Sequence, residues 1–131
     1  MTASAIRIEV APGELIDKLT ILEIKRERIQ DPTKRANVEV ELAALQSAYD
    51  ASVRSPEALL ALRAQLRDVN TRLWDIEDEI RDCERLQDFG PRFVALARAV
   101  YRTNDRRSQI KREINVLQGS SLIEEKSYRP Y

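Results

Sequence analysis

The sequence contains no histidine and a single cysteine. The first absence removes imidazole metal ligands and imidazole acid–base chemistry, and with them Ser-His-Asp and Cys-His sites, Glu-x-x-His di-iron bundles and ordinary zinc centres. A lone thiol, Cys83, cannot close an internal disulfide. Its place on an apolar helical seam makes it a small buried hydrophobe rather than an activated thiolate. Excess charge of either sign is also missing, since 22 basic and 22 acidic residues cancel. No long-range field then draws the chain to nucleic acid or to an anionic membrane, and nucleic-acid binding is not expected. No apolar run approaches the ~20 residues needed to cross a bilayer. The first residues show no basic stretch leading into an apolar one, so a cytoplasmic protein without a membrane span is expected. Nothing in the sequence calls for a metal or a cofactor.

With three glycines and two phenylalanines against 34% charged residues, the composition suits amphipathic helices better than strands. At 131 residues and 43% hydrophobic, one domain over residues 1–131 is expected. The fold class is all-α: an antiparallel bundle of about four helices, at 12–30, 33–53, 56–87 and 92–118. A docked tail over 119–131 and a short N-terminal extended segment complete it. That segment is read from Ile6, Ile8 and Val10, which alternate with Arg7 and Glu9. Pro12 sits in the first turn of helix one, with Glu14 and Asp17 where negative charge favours the helix dipole. Leu15, Leu19, Leu22 and Ile29 share a seam that Ile16, Ile21 and Ile24 widen, so this helix is covered on more than one side. Pro32 starts helix two, which carries Val38, Leu42, Leu45 and Tyr49. Ser55-Pro56-Glu57 gives a cap, a first-position proline and a first-turn acid. Helix three then keeps Leu59, Leu62, Leu66, Val69, Leu73, Ile76, Ile80 and Cys83 at steps of three and four, the seam of a coiled-coil-like partner. Gly90 is placed to take a left-handed cap and Pro91 to open helix four. Phe93, Leu96, Val100, Ile110, Ile114 and Leu117 form a seam there, interrupted by Thr103 and Arg107. Gly119-Ser120-Ser121 ends the helix.

Three constellations could carry chemistry. The acids Asp75, Glu77, Asp78, Glu79, Asp82 and Glu84 of helix three face the arginines of helix four. A fold at Gly90 sets Glu77 or Asp78 opposite Arg102 and Asp75 opposite Arg106, as pairs that fix register. Beside the seam runs a polar stripe: Asn70, Trp74, Glu77 and Arg81 on one helix, Tyr101, Asn104, Ser108, Lys111 and Asn115 on the other. Within it Glu77, Asn104, Arg107 and Lys111 are the candidate ligand-binding set, with Trp74 and Tyr101 as aromatic walls. Convergent guanidinium, ammonium and amide groups suit a small anion or dicarboxylate, and Glu77 could accept a proton. The same residues also read as a buried network that specifies helix pairing, and Trp74 as a core residue whose N–H reaches Asp105 or Tyr101. The third constellation needs the chain ends to meet: Glu14, Asp17 and Lys18 against Glu124, Glu125, Lys126, Ser127 and Tyr128.

The segments Gly13–Lys25, Leu73–Arg81 and Asn104–Asn115, followed by Glu124-Glu-Lys-Ser-Tyr128, resemble a small bacterial all-helical family of unknown function. Its members tend to accompany glycosyltransferase or surface-polysaccharide genes. The resemblance implies an accessory role there and supplies no catalytic residues. In length and helicity the chain is also similar to the all-helical chorismate mutases, whose first-helix pattern Asp17, Arg26 and Arg28 match in part. The expected function is a non-enzymatic helical interaction or accessory protein, a homo-oligomer or a binder of a helical partner. The alternative is an anion-binding enzyme or module that uses the polar stripe.

Overall fold

A computed structural model of the protein describes residues 5–54 and 56–131. Four helices follow one another: α1 (Pro12–Arg28), α2 (Pro32–Ser52), α3 (Pro56–Leu86) and α4 (Pro91–Leu117). Each begins on a proline, whose fixed φ suits the first helical position and whose missing N–H falls where no intrahelical partner exists. Asp31 caps α2 by accepting from the Thr33 and Lys34 amides at 2.9 and 3.0 Å. The expected cap at Ser55 lies outside the described residues. Among the described residues there is no strand: residues 5–10 belong to no helix or strand, and Ala11 is extended at φ −68° and ψ 151°.

α3 and α4, 31 and 27 residues long, form the long antiparallel hairpin. The α3 seam is buried or half-buried throughout, from Leu59 to Cys83. The helix that organises the protein is nevertheless α1, which packs against all three others. Ile16, Leu19, Leu22, Ile24, Asp17 and Thr20 are all buried on it. A helix enclosed on several sides needs apolar residues beyond one stripe, and the isoleucines flanking its leucine seam supply them. α2 adds Val38, Leu42 and Tyr49 to the same core, and the Arg63 guanidinium sits 5.0 Å from the Tyr49 ring centroid.

The hairpin register differs from the expected one. Arg106 donates to Gln65 at 2.9 Å, about three helical turns along α3 from Asp75. The first turns of α4 lie level with Ile76 and Glu79, where Arg92 and Leu96 share a groove with them. The turn differs as well. Gly90 has φ −80° and precedes α4 in an extended conformation, while Gln87 takes the left-handed position at φ 55°. The amides of Gln87 and Asp88 bond the carbonyls of Glu84 and Cys83 at 3.1 and 2.9 Å, a Schellman closure. At the end of α4 the same device uses Gly119, φ 65°. A glutamine in this conformation is strained where a glycine is not. Gln87→Gly is therefore expected to raise stability by about 0.5 kcal/mol, after loss of the Gln87 side-chain bond to Glu84 and the greater freedom of glycine in the unfolded chain. A denaturant midpoint at or below that of the parent would contradict it.

Candidate functional site

The acids of α1 lie between two sets of bases. On the α3 side Glu23 bonds Arg63 at 2.6 Å and Arg67 at 2.8 Å, Arg67 also bonds Glu27, and Arg28 reaches Asp75 at 2.5 Å. Toward α4, Asp17 bonds Arg107 through both carboxylate oxygens, the Nε contact being 3.0 Å. Among the described residues no ion pair joins α3 to α4. The expected Asp75–Arg106 and Glu77–Arg102 pairs do not form. The shifted register separates them, and α1 occupies the groove where charges from both long helices converge.

At the centre Asp17 is 1% exposed. Besides Arg107, it accepts from the Asn70 amide at 2.8 Å, and Asn70 also donates to the Thr20 hydroxyl at 2.9 Å. That hydroxyl donates in turn to the Asp17 carbonyl at 2.8 Å. Lys111, nearly buried, donates to Glu14 at 2.7 Å and to Glu124 of the tail at 3.1 Å, with Asp17 3.8 Å away. One ammonium thus joins the first turn of α1 to residue 124. Close approach of the two helices makes this possible. The Gly13 amide donates to Asn115 at 2.7 Å, and a β-carbon at Gly13 would stand 2.5 Å from the Lys111 carbonyl oxygen.

Electrostatics follow the geometry. Burial alone would lower the Lys111 pKa, but the bonds it donates to Glu14 and Glu124, with Asp17 nearby, outweigh that and hold the ammonium above its ordinary range. The bond to Asp17 raises Arg107 against a similar burial effect. Glu124 is held below its ordinary 4.5, first by its bond from Lys111. A carboxylate with a lowered pKa stabilises the docked tail fully above 4.5 and loses that contribution as pH falls through the lower, docked value. The Lys111 contribution is full below its ordinary 10.5 and is lost above the raised value. Acidification below pH 4.5 is therefore expected to release residues 122–131 before the bundle unfolds, read as loss of the Tyr131–Tyr101 ring contact in nuclear Overhauser spectra while the helical signal persists. Glu124→Gln should weaken the same contact already at neutral pH. An unchanged Tyr131–Tyr101 contact in that variant would contradict the expectation.

The sequence-predicted residues divide into two groups. Tyr101, Asn104 and Arg107 line one open groove of about 860 Å³, whose other wall is the tail, with Tyr128, Arg129 and Tyr131. Lys111 lines a smaller neighbouring cavity of about 160 Å³ beneath Glu124. Glu77 is exposed and pairs within its own helix, with Arg81 at 2.6 Å; the structure does not bring it to Arg107 or Lys111. Trp74 is half-buried, with the Arg28 guanidinium 6.0 Å from its ring centroid. The expected partners of Trp74 bond elsewhere: the Tyr131 hydroxyl donates to Asp105 at 2.7 Å, and its ring meets Tyr101 edge-on at 5.0 Å. Arg26, on the chorismate-mutase pattern, is exposed, apart from Asp17. Glu14, Asp17 and Glu124 belong to the third constellation, and the chain ends do meet: Lys111 of the polar stripe bonds Glu14 and Glu124, with Asp17 3.8 Å away.

Among the described residues no group of three or more acids or cysteines is arranged to hold a metal ion, and no helix is long and apolar enough to cross a membrane. Fold and centre together define an all-α bundle protein in which a buried ion-pair network ties the first helix to the last and to the tail. A family model described as "Family of unknown function (DUF6165)" matches residues 6–130, and the chain belongs to that family. No curated protein and no solved structure matches it.

Proposed function

We propose that this chain is a helical interaction protein without chemistry of its own, acting as a homo-oligomer. The observation that carries this reading is the closure of its charged centre. Among the described residues every fully buried side-chain nitrogen and oxygen has a hydrogen-bond partner, and Asp17 and Lys111 are each engaged by more than one partner, so they offer no idle group to a substrate. A catalytic centre needs reactive groups aimed at a vacant space, whereas a saturated network fixes one arrangement of helices. Large apolar side chains stand on the surface meanwhile: Ile6 and Ile8 on the N-terminal arm, Leu86, Phe89 and Val94 around the hairpin turn. The accessory role in surface-polysaccharide assembly that the resemblance implies belongs to the same reading and rests on that resemblance alone. Light scattering across a concentration series tests self-association. A dimer or larger species at about micromolar concentration supports it, and a strict monomer overturns it.

A second reading, a module for a small carboxylate or other anion, is favoured by the groove shared by Tyr101, Asn104 and Arg107. Its size falls within the range of small-molecule sites, and Arg129 on its rim has no ion-pair partner among the described residues. Titration with a dicarboxylate such as malate tests it. Saturable binding lost in Arg129→Ala and Asn104→Ala supports the module; a flat titration removes it.

A further inference from the structure

Residues 5–10 precede α1 as an exposed arm outside any helix or strand, and Ala11, which joins it to the helix, is extended at φ −68° and ψ 151°. Residues 5–10 make no backbone hydrogen bond to another described residue. Ile6 is 91% and Ile8 76% exposed. A segment with free amides and carbonyls and alternating side chains is a template for strand pairing once it extends, and isoleucines this exposed gain from being covered. The residue order says what covers them. In Ile6-Arg7-Ile8-Glu9-Val10 the apolar side chains share one face and the two charges share the other. The pattern is symmetric about Ile8 in size and antisymmetric in charge.

We infer that residues 6–10 pair with the same residues of a second copy, as an antiparallel ribbon with its two-fold axis at Ile8. In that register Arg7 of each copy lies opposite Glu9 of the other, Ile6 opposite Val10, and Ile8 opposite itself. The alternatives are worse by the same rule. Parallel, in-register pairing sets arginine on arginine and glutamate on glutamate. An antiparallel slip of two residues sets either Arg7 or Glu9 against its own copy, and a slip of one turns isoleucines to the charged face. Only the register centred on Ile8 matches both charges and both apolar pairs.

A five-residue ribbon is marginal by itself, and its apolar face needs cover. The tail starts at the right place to give it. Lys111 bonds Glu14 and Glu124 at 2.7 and 3.1 Å, so the arm and the tail leave the bundle around one side chain. Leu122 and Ile123, about two-fifths exposed, precede that anchor. This inference rests on the homo-oligomer reading and names the segment through which it works.

The test uses the full chain with single and paired charge reversals. Arg7→Glu sets Glu against Glu in both symmetry-related pairs, and Glu9→Arg sets Arg against Arg. Each is expected to weaken dimerisation about tenfold by sedimentation equilibrium, with the helical circular-dichroism spectrum unchanged because both residues are exposed. The double variant restores the attraction in swapped order and should return to within about threefold of the parent. Ile8→Cys should form an intermolecular disulfide under mild oxidation, the two positions being directly opposed, while Glu9→Cys should not. A dimer indifferent to the reversals, or a double variant no better than the singles, overturns the ribbon and leaves the oligomer reading standing. A monomeric parent overturns both.

Discussion

Replacing Asp17 by alanine is expected to lower the unfolding free energy by about 3 kcal/mol, measured as a shift in denaturant midpoint at constant slope. The size follows from what is left behind. Arg107 loses both of its carboxylate contacts, Asn70 loses one acceptor, and the nearly buried Lys111 loses a negative charge 3.8 Å away. Removing one partner strands the others where water replaces it only in part. The figure is set at the lower end of the range for buried pairs because the Arg107 side chain remains 29% exposed. If stranded charge is the mechanism, Arg107→Met in the Asp17→Ala background should cost much less than Arg107→Met alone, a coupling of about 2 kcal/mol in a double-mutant cycle. A loss below about 1 kcal/mol for Asp17→Ala would place the pair among ordinary surface ion pairs and remove the argument that the centre specifies the fold.

The helices were legible because their signals are local. Four prolines, leucine and isoleucine spacing on α1 and α3, and Gly119 each act within a few residues, and the observed bounds lie close to the expected ones. Helix partnership is not local. Acids on α3 and arginines on α4 looked complementary, yet charge composition carries no register, and the hairpin sets Arg106 beside Gln65, about three turns from Asp75. Nor could it be read that α1 would lie between them, so that Arg28 takes Asp75 and Asp17 takes Arg107. Half of the centre was visible for a simple reason: Asn104, Arg107 and Lys111 repeat at three and four on one face of one helix. The other half, Glu14, Asp17 and Glu124, was legible as a meeting of the chain ends; that Arg107 and Lys111 of the stripe would join it was not, because tertiary packing decides it. Glu77 failed as a candidate because adjacency on the stripe of α3 does not fix which neighbour the stripe faces.

Gly13 carries the second large effect, and it separates two uses of glycine in this chain. Its own φ is unremarkable for an L-residue, as it is not among the left-handed positions. The constraint is steric, since an added β-carbon would stand 2.5 Å from the Lys111 carbonyl oxygen and 2.9 Å from Asn115 Oδ1. The first of these is backbone and cannot turn aside. Gly13→Ala must push α1 away from α4, lengthening the 2.7 Å bond from Gly13 to Asn115 and, one turn on, drawing Asp17 and Glu14 from Arg107 and Lys111. Overpacking costs about 1–3 kcal/mol, and loss of the amide bond leaves the buried Asn115 partly unsatisfied at about 1 kcal/mol or more. The helix-propensity gain of alanine, at most about 1 kcal/mol, offsets part of this. A net loss of about 2 kcal/mol is expected. Gly119→Ala is the comparison. There φ is 65° but nothing lies within 4 Å of the added carbon, so the cost is conformational, about 1 kcal/mol. The two should differ in kind as well as size: Gly13→Ala should loosen the tail, because Glu14 and Glu124 share Lys111, and so weaken the Tyr131–Tyr101 ring contact read by nuclear Overhauser effects, whereas Gly119→Ala should leave that contact in place. An equal Tyr131–Tyr101 contact in the two variants would mean that the close approach at Gly13 does not set the geometry of the charged centre.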